Sequence, residues 1–257
     1  MQDVVWDEPN TDWTQFDAVV IRSPWGYQRN PQKFLQTLRE IEAVGTPLLN
    51  PLRICQWNID KNYLRKLGEQ GHPIVPTLWF NRLAADELPH IFEQLGSAQI
   101  VVKPTVGAGA EDTYSLNRDD PLGWQAALDA FALSPLMVQP FVQSVVTHGE
   151  FSLIYFGGRF SHAIVKKPKP KDFRVQEEHG GALNAIEADT ELLRAAEGIL
   201  STVGQKLLYA RVDLVLLEDG APALMELELI EPSLYFSYAP LAATRFAETL
   251  VEMLADF

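Results

Sequence analysis

The stretch that most constrains this chain is a pair of arms, residues 210–217 and 223–230, around Glu218-Asp219-Gly220-Ala221. Asp-Gly is a preferred two-residue hairpin turn. With Asp219-Gly220 at its centre, Asp213 faces Glu226 and Arg211 faces Glu228. Side chains alternate along a strand, so these four share one face. Val212, Leu214, Leu216, Leu227 and Leu229 take the other, as a core-facing side requires. Pro222 is a place for a bulge, which would shift the register by one. Three carboxylates within reach of one another repel. A divalent cation would resolve the repulsion, and hard oxygen ligands suit Mg²⁺, which takes one or two carboxylates plus substrate phosphates. The competing reading is a solvated acidic face balanced by Arg211.

A second hairpin precedes it. Residues 151–156 turn at Gly157-Gly158 into residues 159–165. A polar, Lys/Pro-rich loop (166–181) follows, then a helix over about 191–203, and a helix closes the chain. Two antiparallel hairpins separated by a helix place this half of the chain in a mixed α and β class.

The N-terminal part reads as strand–helix–strand. Val4-Val5-Trp6 is expected to be a short strand and residues 17–22 a second. Asn30 is placed to cap a helix with Pro31 in its first turn, Phe34, Leu35, Leu38 and Ile41 lie at helical spacing, and Gly45 supplies the stop. Leu48-Leu49 is a further strand. A parallel α/β unit of this kind ordinarily opens with a βα segment before the position of Val4, so the chain is expected to start inside that unit. Between these regions, residues 61–69 and 87–95 read as helices, residues 72–77 begin a strand, and Ile100-Val101-Val102-Lys103-Pro104 is another strand.

That last strand ends in Thr105-Val106-Gly107-Ala108-Gly109-Ala110. Small residues let backbone N–H groups approach phosphate oxygens, and Lys103 adds a point charge. The pattern is neither a P-loop nor a dinucleotide fingerprint, and a simple Gly-rich turn is the competing reading. Residues 138–142, with Pro140 interrupting an apolar run, could present free main-chain groups to an adenine edge, or form an ordinary edge strand.

Composition removes several classes. Lys plus Arg number 21 against 34 Asp plus Glu, a net charge of −13. Such a chain lacks the basic footprint of a nucleic-acid or membrane-surface binder. Cys55 is the lone cysteine, which leaves no intramolecular disulfide or Cys-based zinc site and suits a reducing cytoplasm. Cys55 itself reads as a small buried hydrophobe. No apolar run reaches membrane-span length, and the N-terminus carries no signal-peptide pattern. His148, His162 and His179 show no metal-ligand spacing and read as surface or satisfied core residues.

The order of the motifs carries a resemblance: Asn58-Ile59-Asp60-Lys61, Val102-Lys103-Pro104 with its Gly/Ala loop, Val138-Gln139-Pro140-Phe141-Val142, Gly149-Glu150, Ala210-Arg211-Val212-Asp213 and Met225-Glu226-Leu227-Glu228. Together they resemble the ATP-grasp superfamily on its glutathione-synthetase-like side. Ile21-Arg22-Ser23-Pro24-Trp25-Gly26-Tyr27, Asp172-Phe173-Arg174-Val175-Gln176 and Gly180-Gly181 are more specifically similar to the cyclo-ligases of D-cycloserine biosynthesis. The resemblance covers nearly the whole chain. It implies an ATP-grasp fold, with two α+β lobes clamping ATP (residues 57–137 and 138–257) after a shortened parallel α/β pre-ATP-grasp domain (1–56).

By the same resemblance, Lys61 and Lys103 contact ATP phosphates, and Gly107, Ala108, Gly109 and Ala110 form the loop that closes over them. Gln139, Pro140, Phe141 and Val142 hold adenine, and Glu150 makes a ribose or nearby polar contact. Asp213, Glu226 and Glu228 hold Mg²⁺, although many members carry Asn where Glu228 stands. Arg211, Arg174 and Lys166 stabilise the transferring phosphoryl group. From the residues themselves, Arg22, Trp25 and Tyr27 follow a strand's C-terminal end, where ligands of open α/β sheets bind, and are the candidate carboxylate and ring contacts of a substrate, with a packed aromatic loop as the competing reading. The implied partners are a small-molecule carboxylate and an amine, joined through an acyl-phosphate, with intramolecular ring closure and a homodimer both open. The alternatives are an ATP-binding protein without catalysis, and a small-molecule kinase stopping at phosphoryl transfer.

Overall fold

The computed structural model describes residues 1–170, 172, 174–175 and 180–257. Phe173, Gln176 and His179, named above, lie outside the described residues. Strands β1 (Val19–Val20) and β2 (Leu48–Leu49) pair in parallel, joined by helix α1 (Pro31–Ala43). Asn30 caps α1 by accepting from Lys33 N at 3.2 Å, with Pro31 in the first turn. Phe34, Leu38 and Ile41 are buried against Trp13, Ile21, Tyr27 and Cys55. The parallel ladder is shorter than residues 17–22 suggest, because Pro24 and Pro47 bracket it and bring no donor.

Val4-Val5-Trp6 is not a strand. Glu8 N bonds Val5 O at 3.1 Å to close a turn, and the Trp6 ring meets Phe34 edge-on at 5.5 Å.

Helices α2 (Leu52–Asn58) and α3 (Tyr63–Glu69) lead to the next unit. There, strands β3 (Leu78–Phe80), β4 (Gln99–Pro104), β5 (Tyr114–Asn117) and β6 (Leu136–Pro140) form an antiparallel sheet in the order β3-β6-β4-β5. Helices α4 (Leu88–Gln94) and α5 (Gln125–Ala130) bury Leu88, Ile91, Phe92 and Ala127 against it. The strand expected from residue 72 starts only after Pro76. Before it, Ile74 makes a single parallel bridge to Leu224, with Val75 N on Leu224 O (3.1 Å) and Leu224 N on Pro73 O (2.9 Å). This segment ties one unit to the outer strand of the other.

After the short helix α6 (Ser144–Thr147) come β7 (Glu150–Phe156), β8 (Arg159–Lys167), β9 (Ala182–Ile186), helix α7 (Thr190–Val203), β10 (Tyr209–Leu216), β11 (Pro222–Glu228) and helix α8 (Ala242–Leu254). The five strands form an antiparallel sheet ordered β11-β10-β7-β8-β9. Helix α7 covers one face through Leu192, Ala196 and Ile199 against Leu153, Val212, Leu214 and Leu227. Helix α8 covers the far end of the opposite face, against Ile154, Phe156 and Tyr209. The rest of that face carries Glu150, Lys166, Arg211, Asp213, Glu226 and Glu228. Asp213 faces Glu226 and Arg211 faces Glu228, as the hairpin arithmetic requires.

Gly149 sits at φ +100 where β7 begins, a backbone setting glycine tolerates. A Cβ there would lie 2.5 Å from Val165 Cγ2 and 2.8 Å from Lys166 O. Gly149→Ala is therefore expected to cost about 2–3 kcal/mol by overpacking and strain, read as a lowered urea midpoint. An unchanged midpoint would mean that the strand start relaxes freely.

Candidate active site

The ionic face is built by strand pairing. On β10, Arg211 and Asp213 are two apart and share a face. Arg211 Nε donates to both Asp213 oxygens at 3.1 Å and its Nη2 to Oδ2 at 2.9 Å. Arg211 also binds Glu228 across the hairpin and donates to Ser233 O at 3.3 Å. From β7, Ser152 donates to Asp213 Oδ1. Glu150 and Lys166 face each other in register, with Nζ 2.5 Å from Glu150 and 3.5 Å from Asp213.

Cations arrive from the other unit. Lys61, at the start of the turn into α3, places Nζ 3.0 Å from Glu226 Oε1 and donates to Gly107 O at 2.7 Å. Lys61 N in turn donates to Thr105 O at 2.7 Å, which fixes the Gly/Ala loop beside it. Lys103, on β4, reaches Met225 Sδ at 3.6 Å, and its charge acts on Glu226. So Lys61 and Lys103 both point into the cleft that holds Asp213 and Glu226.

The electrostatics follow from burial opposed by these pairs. Burial disfavours the charged form of Asp213, but Arg211 and Lys166 outweigh it and hold its pKa below the ordinary range. Glu226 is likewise lowered, burial being overcome by Lys61 and Lys103. Burial dominates at Glu228, pushed up to about 8 despite Arg211, with Glu226 and Asp213 adding to the rise. Lys103 is lowered by burial, only partly offset by Glu226.

The remaining expected residues divide. Tyr27 is buried and bonds Glu231, and Arg22 donates to Pro232 O at 3.1 Å with its guanidinium over the Tyr209 ring at 5.2 Å. Among the described residues, the buried Arg22 Nη1 has no hydrogen-bond partner. The Trp25 side chain is 82% exposed and is not brought to the cluster. Arg174 is also not brought there, because its guanidinium pairs with Asp172 through Nε and Nη2, both at 3.1 Å. Glu150 is engaged by Lys166 instead of standing free for a ribose. Strand β6 lies inside its sheet: residues 136–138 pair with both β3 and β4, whereas Gln139 and Pro140 pair with β4 alone. Gln139 donates to Thr77 Oγ1 at 3.0 Å, and Phe141 N bonds Gln99 O at 2.9 Å. Of the main-chain groups expected to read adenine, the Phe141 N–H is therefore taken. Val142 lies beyond the ladder.

Glu231 was not visible as a site residue in the sequence. It follows β11 where the chain passes Tyr27 and Arg22, in the fields of Lys61, Glu226 and Arg211. Burial first, with Glu226 adding, raises its pKa to about 7 against the opposing Tyr27 hydrogen bond and Lys61. The folded chain then holds a proton that the unfolded chain loses near pH 4.3. This stabilises the fold at low pH and is lost as pH rises to about 7. Glu231→Gln lacks that loss. Its stability relative to the parent is expected to rise between pH 5 and pH 8 by on the order of 1–3 kcal/mol, read as a rising melting-temperature difference. A pH-independent difference in thermal melts would show that Glu231 titrates alike in both states.

Among the described residues no three acidic, His or Cys side chains converge as a metal cage. The carboxylates are instead held by Arg211, Lys166 and Lys61. Mg²⁺ needs less than a cage, since one or two carboxylates with phosphate oxygens suffice. Glu226 and Glu228, on the open side of the sheet with side chains 29% and 27% exposed, have the right donor chemistry for that share. Asp213 lies behind them at 2%.

A family model for the N-terminal domain of the D-cycloserine synthetase DcsG matches residues 1–50. The cycloserine biosynthesis protein DcsG of Streptomyces lavendulae is 33% identical over 262 residues, spanning 97% of this chain and 87% of that protein. The crystal structure of D-cycloserine synthetase DcsG aligns with a TM-score of 0.85 at 31% identity, covering 97% of this chain and 88% of that one. The ATP-grasp ligase PsnB, solved with a minimal-precursor variant, Mg and ADP, aligns with a TM-score of 0.62 at 20% identity, over 91% of this chain and 79% of that one.

Proposed function

The chain belongs to the family of the D-cycloserine synthetase DcsG and has the ATP-grasp fold, and on that premise we propose that it is an ATP- and Mg²⁺-dependent carboxylate–amine ligase acting on small molecules. What carries the reading is the convergence of Lys61 and Lys103 from one unit on the acidic face of the other. Such a cleft neutralises phosphates on one side and offers hard oxygens on the other.

In this reading a substrate carboxylate oxygen attacks the γ-phosphorus of ATP, the bond to the bridging oxygen breaks, and ADP leaves. A nitrogen nucleophile then attacks the acyl carbon, expels phosphate and gives up a proton. Ring closure is the case in which both groups belong to one molecule. Lys61 and Lys103 hold phosphates, and Arg211 and Lys166 meet the charge that develops on the transferring group. Glu226 and Glu228 would hold Mg²⁺, which would supply positive charge against the phosphates. Arg22 and Tyr27 line the carboxylate side. Residues 1–56 serve that side, and residues 57–137 and 138–257 the nucleotide.

The test is ADP and phosphate release against a panel of small carboxylates and amines, with hydroxylamine present. A hydroxamate supports ligation. A phosphorylated product inert to hydroxylamine favours a kinase, and calorimetric ATP binding without turnover on any acceptor favours a binding protein. No nucleotide binding with Mg²⁺ present would refute all three.

A further inference from the structure

Behind Arg211, away from the nucleotide-side lysines, a chain of hydrogen bonds runs through groups the mechanism leaves unused. Ser161 is the extra residue of a bulge in β8, since Ile154 pairs with His162 but Tyr155 pairs with Phe160. Arg245 of α8 reaches it twice, Nε to Ser161 Oγ at 2.9 Å and Nη2 to Ser161 O at 3.1 Å. A guanidinium only donates, so the Ser161 hydroxyl proton is left for His162 Nδ1, 2.9 Å away. His162 Nε2 lies 3.0 Å from Leu234 O, which only accepts. Leu234 O requires the proton on Nε2. A neutral imidazole with Nδ1 accepting from Ser161 satisfies both ends, and burial beside Arg245 favours it over an imidazolium donating to the second lone pair of Ser161 Oγ. Burial, with Arg245 adding to it, lowers the His162 pKa in keeping with this.

Leu234 precedes Tyr235, which is held at φ 47, ψ 42. An aromatic residue occupies that left-handed region only where its surroundings hold it there. The Tyr235 ring faces the Arg211 guanidinium, 5.6 Å from carbon to centroid, and Ser233 O from the same turn accepts from Arg211. The turn therefore supplies the side of Arg211 that no carboxylate covers.

We propose that His162 is a positioning residue: Arg245, Ser161 and His162 form a one-way hydrogen-bond chain that fastens Leu234 and so holds Tyr235 as the platform on which Arg211 is aimed. The consequence for turnover rests on the phosphoryl-transfer reading of Arg211, whereas the fastening does not.

Two substitutions separate the chain from bulk packing. Gln places an amide donor near the position of Nε2, so His162→Gln keeps the bond to Leu234 O, and His162→Leu removes it. The first readout is the Arg211 Nε–Hε resonance in ¹⁵N-labelled protein, identified by its loss in Arg211→Lys and shifted by the Tyr235 ring, a shift that Tyr235→Leu removes. His162→Leu is expected to abolish the ring shift, His162→Gln to keep it, and Ser161→Ala to reduce it. The second readout is ADP release with Mg·ATP and the acceptor panel. There His162→Leu is expected to lower kcat by about tenfold to a hundredfold, with KM for ATP within about twofold, and His162→Gln to recover most of it. An unmoved Arg211 resonance in His162→Leu overturns the proposal, as does a His162→Gln that folds but behaves like His162→Leu. Should His162→Leu not fold, Ser161→Ala decides on the same resonance. If the parent releases no ADP with any acceptor, the ligase reading fails and the resonance still tests the fastening.

Discussion

Arg211→Met is expected to destabilise the protein by about 3–5 kcal/mol, as breaking one partner out of a buried ionic cluster does. Arg211 and Asp213 are nearly inaccessible, with side chains 7% and 2% exposed. The substitution leaves Asp213 to Lys166 at 3.5 Å and the Ser152 hydroxyl, and leaves Glu228 without its cation. Glu228 is already raised to about 8 with Arg211 present; without it, its pKa climbs further. The variant's folded state then keeps that proton to higher pH than the parent's, which favours it at low pH and is lost as pH rises. The cost should accordingly be smaller at pH 6 than at pH 9. Adding Asp213→Leu to the variant removes the stranded charge and should recover part of the loss. Urea unfolding at both pH values measures all of this. A cost below about 1 kcal/mol would mean that Lys166 and water replace the guanidinium, and that Arg211 is not what holds the face together.

How much of this face was legible in the sequence is best seen in the hairpin that carries it. A two-residue turn at Asp219-Gly220 places Asp213 against Glu226, and the structure has that pairing, but by another route. The turn holds three residues, with Leu217 bonded to Ala221 (2.9 Å) and Leu216 opposite Pro222. A shift between Asp213 and Leu214 then restores the offset, so Met225 is the bulged residue and Pro222 is not. Two one-residue displacements cancel at the carboxylates. Alternation of side chains survives such cancellation, which is why the ionic face was readable although its turn was not. The Glu150–Lys166 pair was not readable, because it depends on the bulge at Ser161, which no turn signal announces. Glu231 and Tyr235 were hidden for a different reason. They lie past the last strand, and their setting is made by Tyr27, Arg22 and His162 from distant parts of the chain. Motif order likewise says nothing about where a loop side chain turns: Arg174 pairs with Asp172, and Trp25 is exposed.

Glu226→Gln is expected to leave the fold intact while lowering turnover by about 10²–10³-fold, the scale of removing one preorganised electrostatic group from an active site. The argument turns on what Gln keeps. Its amide oxygen can still accept from Lys61, now 3.0 Å from Glu226 Oε1, so the bridge between the two units persists as a hydrogen bond from the lysine cation to a neutral acceptor. Burial works against the charged carboxylate and Lys61 and Lys103 outweigh it, so removing the charge strips both lysines of their counterion while relieving a desolvated anion. The two effects on stability oppose each other and the net change should stay small. Catalysis has no such compensation. In the ligase reading Gln is a weaker donor to a hard cation and adds no charge to neutralise it, so the Mg²⁺ concentration giving half-maximal ADP release should rise together with the fall in kcat. Lys103, already lowered by burial, should drop further without Glu226. Circular dichroism and a Mg²⁺ titration of ADP release check both halves. Gross unfolding of Glu226→Gln would make this carboxylate structural, and an unchanged Mg²⁺ requirement would move the cation to other ligands.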